Sequence, residues 1–204
     1  MIIKVIIYSI LGYSLGSILF AKVFGKFFAN CDITKNTSDN NPGVYNAFKN
    51  GGMLTGILTL IFDLLKGILP VFLFFVNTKD LRWYYLFVVV SPVLGHIFPL
   101  FFKFKGGKGI ATTFGVLIGL ACVNIFPLLS LVIYFIFFSC VVKISPNFHR
   151  TIITYIVSIV TLILFKVDTF AIFALLFPTL LVSLRMLLAN EEKENFKVGF
   201  LWMH

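Results

Sequence analysis

The sequence predicts an all-α integral membrane protein with about seven transmembrane helices, folded as a single domain over residues 1–204. Apolar residues make up 59% of the 204 residues and charged residues 12%, whereas soluble proteins average about 45–50% and about 25%. The mean hydropathy is +1.02. Too few polar residues are present to cover so much apolar surface in water. The same composition excludes a disordered chain and a disulfide scaffold.

Seven stretches approach the length of about 20 apolar residues that a transmembrane helix needs. They are Ile2–Ala21, Met53–Val76, Trp83–Phe102, Ile110–Phe126, Leu128–Val142, Thr151–Phe165 and Thr169–Ala189. The fourth to sixth are short and lie near Pro127 and Pro146, so the pattern supports five to seven spans. Small residues in the first span, including Gly12 and Gly16, favour close packing between helices.

The distribution of Lys and Arg predicts the orientation. With seven spans, the polar stretches Lys22–Gly52, Lys103–Gly109 and Lys143–Arg150 and the tail from Asn190 share one side. Twelve positive residues belong to that side: Lys22, Lys26, Lys35, Lys49, Lys103, Lys105, Lys108, Lys143, Arg150, Arg185, Lys193 and Lys197. Four belong to the other: Lys4, Lys79, Arg82 and Lys166. Because cytoplasmic loops carry the positive excess, the C-terminus is expected in the cytoplasm and the N-terminus outside. The first span lacks a small-residue cleavage site and is expected to be retained.

A segment rich in glycine and lysine is the strongest candidate for a binding site. Gly95-His96-Ile97-Phe98-Pro99 is followed by Phe104-Lys105-Gly106-Gly107-Lys108-Gly109-Ile110-Ala111-Thr112-Thr113. Glycines allow successive N–H groups to form a concavity, and a predicted helix begins directly after it. With two ammonium groups nearby, this arrangement predicts a phosphate site. The alternative is an ordinary positive turn. It is not a Walker P-loop, because Gly109 follows Lys108 where Ser or Thr is needed.

Two other polar stretches are candidates for the same site. The loop Asp39–Lys49 is rich in Asn and Gly, which offer amide donors for a polyol phosphate or simply form turns. Asp63 and Lys66 lie three residues apart inside an apolar span, where they can neutralise each other on one helix face. Such a pair is either structural or organises a site.

No metal or other cofactor is expected. His96 has no second His, Cys or carboxylate at ligand spacing, and the three cysteines are too scattered for a zinc site. The 17 Lys and Arg exceed the 8 Asp and Glu by nine. In a membrane protein this excess indicates anionic lipid headgroups or anionic substrates before nucleic acid, so no nucleic-acid partner is expected.

Together, in this order, the three stretches resemble the acyl-phosphate-dependent glycerol-3-phosphate acyltransferases of bacteria, the PlsY family. Residues Gly95–Thr112 match the pattern G-H-x-F-P-x-x-x-x-F-K-G-G-K-G-x-A-T. Asn41-Pro42-Gly43 with Asn46 resembles G-S-G-N-P-G-A-T-N-V-x-R, and Asp63–Gly67 resembles L-D-x-x-K-G. The resemblance implies a seven-span enzyme of the bacterial inner membrane, with its site on the cytoplasmic face. It also implies transfer of a fatty acyl group from acyl phosphate to glycerol 3-phosphate, giving lysophosphatidic acid and phosphate for phospholipid biosynthesis.

The resemblance also implies roles for individual residues. Lys108 and Lys49 are the expected catalytic residues, Lys49 standing where the family has Arg, and Asp63 with Lys66 is the expected structural pair. The expected substrate-binding residues are Asn41, Gly43, Asn46, Lys105, Gly106, Gly107, Gly109, Ser145 and His96. The expected partners are the two substrates, membrane lipid and an enzyme that supplies acyl phosphate.

Several positions depart from the family pattern. The G-S-G turn becomes Ser38-Asp39-Asn40, which puts a carboxylate near a site for dianions. Lys49 lacks the planar fork of Arg. The pattern H-R-x-N near the end of the last span is missing, and only Arg185 remains as a candidate remnant. Two alternatives therefore stay open: an inactive relative that binds anionic headgroups or a partner, and a transporter of phosphorylated metabolites. The transporter is expected to carry an inverted repeat, which the sequence does not show.

Overall fold

The computed structural model describes residues 1–35, 37, 39–76, 78, 81–189 and 196–200. Ser38 and most of the tail from Asn190 lie outside these ranges. The α-helices are α1 (Ile2–Gly16), α2 (Phe20–Phe28), α3 (Val44–Phe75), α4 (Leu86–Ile97), α5 (Ile110–Leu120), α6 (Phe126–Ile136), α7 (Asn147–Leu164) and α8 (Thr169–Leu188). Short 3-10 helices cover Trp83–Tyr85 and Leu100–Phe102, and a π-helical turn covers Phe137–Val141. The strands are β1 (Val142–Ser145) and β2 (Lys197–Phe200).

The predicted all-α membrane class is confirmed, with differences in the boundaries. Five helical segments in the described part of the chain are long and apolar enough to cross a membrane: Ile2–Phe28, Val44–Phe75, Trp83–Phe102, Asn147–Leu164 and Thr169–Leu188. The predicted spans Ile110–Phe126 and Leu128–Val142 correspond to shorter apolar helices, Ile110–Leu120 and Phe126–Val141. Between them, Asn124 Oδ1 accepts from the N–H of Phe126 at 3.0 Å in an Asx turn. Pro127 occupies the first turn of α6, where proline is favoured, and the helix therefore begins at Phe126.

Three regular elements, α2, β1 and β2, lie largely in stretches expected to be loops. α2 begins at Phe20, at the end of the predicted first span, and continues into the predicted polar stretch. It is amphipathic, and its phenylalanines Phe20 and Phe24 pack against Phe62 of α3. The first turns of α3 precede a kink at Gly52, where φ is 81°, so the straight apolar part begins at Met53 as predicted. β1 and β2 pair antiparallel, with Ser145 opposite Lys197.

Close helix contacts hold together the part of the fold that carries the polar segments. α1 packs against α4 and α3 packs against α5. A Cβ atom on Gly16 would lie 2.3 Å from the carbonyl oxygen of Pro92, and one on Gly115 would lie 2.2 Å from that of Leu64. These distances leave no room for a side chain, so the helices approach as closely as their backbones allow. The packing brings the ends of α3, α4 and α5 together.

Candidate functional site

A cavity of about 680 Å³ lies where the loop before α3, the start of α5 and the segment before α7 meet. It is lined by Thr37, Asp39, Asn41, Gly43, Val44, Tyr45, Asn46, Lys49, Leu60, Asp63, His96, Lys108, Gly109, Ile110, Ala111, Phe114, Phe135, Ser145, Pro146, Asn147, Arg150, Thr151 and Met186. Polar residues from all three motifs therefore share one cavity with apolar side chains. Of the predicted site residues, Lys105, Gly106, Gly107 and Lys66 are not among those that line it.

The loop before α3 is held by a network centred on Asp39. Asn46 Nδ2 donates to Asp39 Oδ1 at 2.9 Å and to the carbonyl oxygen of Asn41 at 2.8 Å. The N–H of Asn41 also donates to Asp39 Oδ1, at 3.2 Å. Asn46 is buried, and its amide donors are used inside the protein. Its first contribution is thus to fix the loop, and Asn41 and Gly43 are positioned on the cavity wall as a result.

Lys108 joins this loop to the glycine-rich segment. Its Nζ lies 2.9 Å from Asp39 Oδ2, and its N–H donates to Asn41 Oδ1 at 3.1 Å. Burial by itself would raise the pKa of the Asp39 carboxyl. Hydrogen bonds from Lys108 and Asn46 outweigh that effect and hold this pKa below its usual value. Asp39 is therefore ionised at neutral pH. Its negative charge partly neutralises the ammonium of Lys108, which is expected from the sequence to bind phosphate.

Gly106 and Gly107, before α5, allow the backbone to pack closely against His96 and do not form an open phosphate-binding loop. A Cβ atom on Gly106 would lie 2.0 Å from the carbonyl oxygen of His96, and one on Gly107 would lie 2.3 Å from His96 Nε2. The N–H of Gly107 donates to the carbonyl oxygen of His96 at 3.1 Å. Within this run, the left-handed conformation occurs at Gly109, with φ of 84°. The predicted concavity is accordingly revised: the N–H groups of Gly107 and Lys108 bond to protein atoms, and Lys105 is exposed outside the cavity.

Asp63 and Lys66 form a buried cluster with His96. Lys66 Nζ lies 2.7 Å from Asp63 Oδ1 and 2.8 Å from His96 Nδ1, and it donates to the carbonyl oxygen of Ile18 at 2.8 Å. An ammonium can only donate, so His96 Nδ1 accepts and the imidazole proton is assigned to Nε2. The lysine thus links α3 to α4 and to the connection between α1 and α2, and it fixes the orientation of a histidine that lines the cavity.

Two arginines that were not among the predicted site residues lie at or beside the cavity. Arg185 Nη2 donates to the carbonyl oxygen of Gly106 at 2.9 Å, so it anchors the glycine-rich segment from α8. Arg150, counted in the sequence only as a loop charge, lines the cavity close in sequence to Ser145 and Asn147. Its one signal in the sequence is its position five residues after Ser145, at the start of an apolar span.

The fold, the apolar spans and the cation-lined cavity define a multi-pass membrane protein with a polar site beside one end of its helices. The sequence model of the glycerol-3-phosphate acyltransferase family matches residues 6–197. The chain therefore belongs to the glycerol-3-phosphate acyltransferase family, as its motifs predict.

Individual relatives agree with this assignment. The chain is 47% identical over 110 residues to the glycerol-3-phosphate acyltransferase of Pseudoalteromonas translucida, covering 53% of each chain. It is 39% identical over 144 residues to that of Ruthia magnifica, covering 69% of this chain and 68% of the relative. The match to Pseudoalteromonas translucida thus spans about half of the relative's length. Crystal structures of PlsY, an integral membrane glycerol 3-phosphate acyltransferase, superpose with a TM-score of 0.72. The glycerol 3-phosphate form is 28% identical, over 89% of this chain and 87% of that chain.

Proposed function

We propose that the protein transfers a fatty acyl group from acyl phosphate to glycerol 3-phosphate in the cavity described above. The hydroxyl oxygen of glycerol 3-phosphate attacks the acyl carbonyl carbon, and the bond from that carbon to the phosphate oxygen breaks. Inorganic phosphate leaves with the electron pair, and lysophosphatidic acid is formed. A phosphate oxygen of the substrates accepts the hydroxyl proton. The observation that carries the proposal is the contact of Lys108 with Asp39 and Asn41, which unites two family motifs on one cavity.

The chemistry asks mainly for positioning and charge compensation. An acyl phosphate is already activated, so holding two anionic groups together and stabilising the developing charge supply most of the catalysis. Lys108 is proposed to stabilise the donor phosphate and Lys49 to position the acceptor. Asn41, Gly43 and Asn46 are proposed to line the binding site for glycerol 3-phosphate. Gly109, Ser145 and His96 complete the polar wall, and the acyl chain stays in the bilayer.

The proposed setting is the bacterial inner membrane, crossed seven times, with the cavity facing the cytoplasm. The twelve-to-four distribution of Lys and Arg supports this orientation. An enzyme that makes acyl phosphate is the proposed partner. Topology is tested by placing one cysteine at Lys103, exposed beside the glycine-rich segment, in a variant without Cys31, Cys122 and Cys140. A membrane-impermeant maleimide should label it only after the cells are opened. Labelling of intact cells would reject the orientation.

The activity is tested with membranes supplied with glycerol 3-phosphate and either palmitoyl phosphate or palmitoyl-CoA. Lysophosphatidic acid should form from the phosphate donor alone and should be lost in Lys108→Ala. Lys103→Ala is the matched control, because it removes an exposed lysine of the same segment that does not line the cavity. Equal turnover by Lys108→Ala would reject the role of that lysine. Absence of product from the unaltered protein would reject the function.

A catalytically inactive headgroup-binding relative is the second candidate, because Asp39 pairs with the lysine that a phosphate needs. The two candidates differ in turnover but share anion binding. If the inactive relative is correct, the detergent-solubilised protein binds lysophosphatidic acid or phosphate and forms no product from any donor. Product formation from palmitoyl phosphate would remove this candidate.

A further inference from the structure

Two carboxylates belong to the described residues that line the cavity, and each forms an ion pair with a lysine. Asp39 lies 2.9 Å from Lys108, and Asp63 lies 2.7 Å from Lys66. A phosphate that binds at Lys108 must therefore share its ammonium with a carboxylate. Because like charges repel each other at such distances, the cavity needs positive charge from another residue to hold a dianion firmly.

Arg150 is the cavity-lining cation with the largest unused hydrogen-bonding capacity. It forms no salt bridge with the residues that the structure describes. Nη2 donates to Asn147 Oδ1 at 2.6 Å, whereas the buried Nε has no hydrogen-bond partner. A guanidinium carries five N–H donors. With one donor bonded to Asn147 and Nε buried, the other N–H groups of the two terminal nitrogens remain for a ligand in the cavity that the residue lines.

The guanidinium is also held in place before any ligand arrives. Its central carbon lies 5.7 Å from the centre of the Phe135 ring, a cation–π contact. With Asn147 on one nitrogen and Phe135 below the group, little side-chain freedom remains to be lost when an anion binds. The group is only partly exposed. A positive charge that is already fixed at the cavity wall is suited to bind an anion.

The chemistry of the ligand follows from the shape of this group. A planar guanidinium donates two parallel hydrogen bonds to phosphate oxygens, which a lysine cannot do. Position 49, where the family pattern has Arg, carries an exposed Lys in this chain. The cavity therefore has no arginine from the start of α3, and it has one from α7.

We infer that Arg150 is a substrate-binding residue that holds a phosphate group with two hydrogen bonds at the α7 side of the cavity. This inference rests on the proposed function for the identity of the substrates. The phosphate belongs either to the acyl donor or to the glycerol 3-phosphate acceptor, and both present the same oxygens to the arginine. The separate KM values for the two substrates distinguish them.

The test compares Arg150→Met, which keeps an apolar stem against Phe135 but removes the charge, with Arg150→Lys, which keeps the charge but removes the fork. Lys143→Met is the control, because Lys143 is an exposed cation of β1 that does not line the cavity. The full-length detergent-solubilised proteins are titrated with inorganic phosphate by calorimetry. KM is then measured for each substrate in turn, and thermal unfolding checks that each variant is folded.

Arg150→Met should raise the Kd for inorganic phosphate and the KM for one substrate by roughly tenfold, because the charge-assisted hydrogen bonds to phosphate are lost and Met donates none in their place. Arg150→Lys should lie between that variant and the unaltered protein, and Lys143→Met should bind phosphate normally. A rise in KM for acyl phosphate assigns Arg150 to the donor, and a rise for glycerol 3-phosphate assigns it to the acceptor.

Unchanged phosphate affinity and unchanged KM values in folded Arg150→Met or Arg150→Lys would overturn the inference, as would a failure of the unaltered protein to bind phosphate. The proposed acyl transfer fails by a different result. If the unaltered protein forms no lysophosphatidic acid but Arg150→Met still weakens phosphate binding, the arginine site stands and the acyl-transfer reaction does not.

Discussion

Replacing Asp39 by Asn should strengthen phosphate binding. The carboxylate lies 2.9 Å from Lys108 Nζ, and its side chain is 15% exposed. Asn can keep the oxygen that accepts from Asn46 and from the N–H of Asn41. It removes the charge and replaces Oδ2 by an NH2 group that cannot accept from Lys108. The substitution therefore separates the electrostatic effect of Asp39 from its contribution to the shape of the loop.

The size of the effect follows from the geometry at Lys108. An ammonium that donates to a carboxylate and to a phosphate oxygen at tetrahedral angles holds the two oxygens about 5 Å apart. At about 5 Å and an effective dielectric constant of about 20, two unit charges repel by roughly 3 kcal/mol. Water and salt in the cavity screen part of this repulsion. We expect about 1.4 kcal/mol to remain, which corresponds to about a tenfold lower KM for the substrate whose phosphate binds at Lys108.

The assay measures initial rates of lysophosphatidic acid formation while each substrate is varied in turn. Asp32→Asn is the control, because Asp32 is an exposed aspartate of the same loop whose carboxylate accepts from Thr34 and does not contact Lys108. Its KM values should match those of the unaltered protein. An unchanged or higher KM for both substrates in Asp39→Asn, with a normal control, would refute the reasoning and would mean that the carboxylate assists binding.

The effect of Asp39→Asn should have a defined pH dependence. The pKa of Asp39 is held below its ordinary value of 3.8 by Lys108 and Asn46, despite burial that raises it. The carboxylate is therefore charged at neutral pH. The ratio of KM values between variant and unaltered protein should be constant from about pH 7.5 to about pH 8.5, above the second ionisation of a substrate phosphate at about pH 6. Because the pKa is lowered in the folded state, the ion pair stabilises the fold above 3.8 and loses that contribution as pH falls through the lowered pKa. A ratio that changed between about pH 7.5 and about pH 8.5 would assign the effect to another group.

Two further substitutions test the packing around the site. Gly107→Ala places a methyl group 2.3 Å from His96 Nε2, and such overpacking should lower the free energy of unfolding by about 1–3 kcal/mol. Gly199→Ala, whose Cβ would lie 4.0 Å from its nearest neighbour, should leave the unfolding temperature in detergent unchanged. Lys66→Met leaves Asp63 buried without its partner and should cost about 3–5 kcal/mol. The double variant Asp63→Leu with Lys66→Met should be more stable than the single variant Lys66→Met in the same unfolding measurement. Equal stability of the single and double variants would contradict the ion-pair argument.

The membrane class and the family motifs could be predicted from the sequence because both depend on local composition and spacing. The pairing of β1 with β2 could not, since it joins segments that are far apart in the chain. The steric requirement for glycine at positions 106 and 107 could not be predicted from the sequence either. Their spacing indicates a flexible loop, but the structure shows that the backbone passes so close to His96 that a side chain has no room. A steric requirement of this kind depends on which atoms face the glycine in three dimensions.

The charges of the cavity were harder to predict than its location. A lysine or arginine in a loop of a membrane protein has an ordinary explanation in topology, so the position of Arg150 five residues after Ser145 did not identify it as a site residue. Asp39 stood out as a departure from the family pattern, but its pairing with Lys108 depends on a contact between two distant segments. Sequence reasoning thus identified which segments meet and could not tell which of their cations are already compensated.

Asp39 and Arg150 belong to one electrostatic arrangement. A carboxylate beside Lys108 lowers the attraction of that lysine for a phosphate, and Lys49 does not supply the planar fork of an arginine. A cavity with these two features alone would hold a dianion weakly. The guanidinium of Arg150, fixed by Asn147 and Phe135, restores one positive charge and two parallel donors on another wall. The departures at positions 39 and 49 are therefore compatible with phosphate chemistry in the cavity, provided that the anion is held from α7 as well as from Lys108.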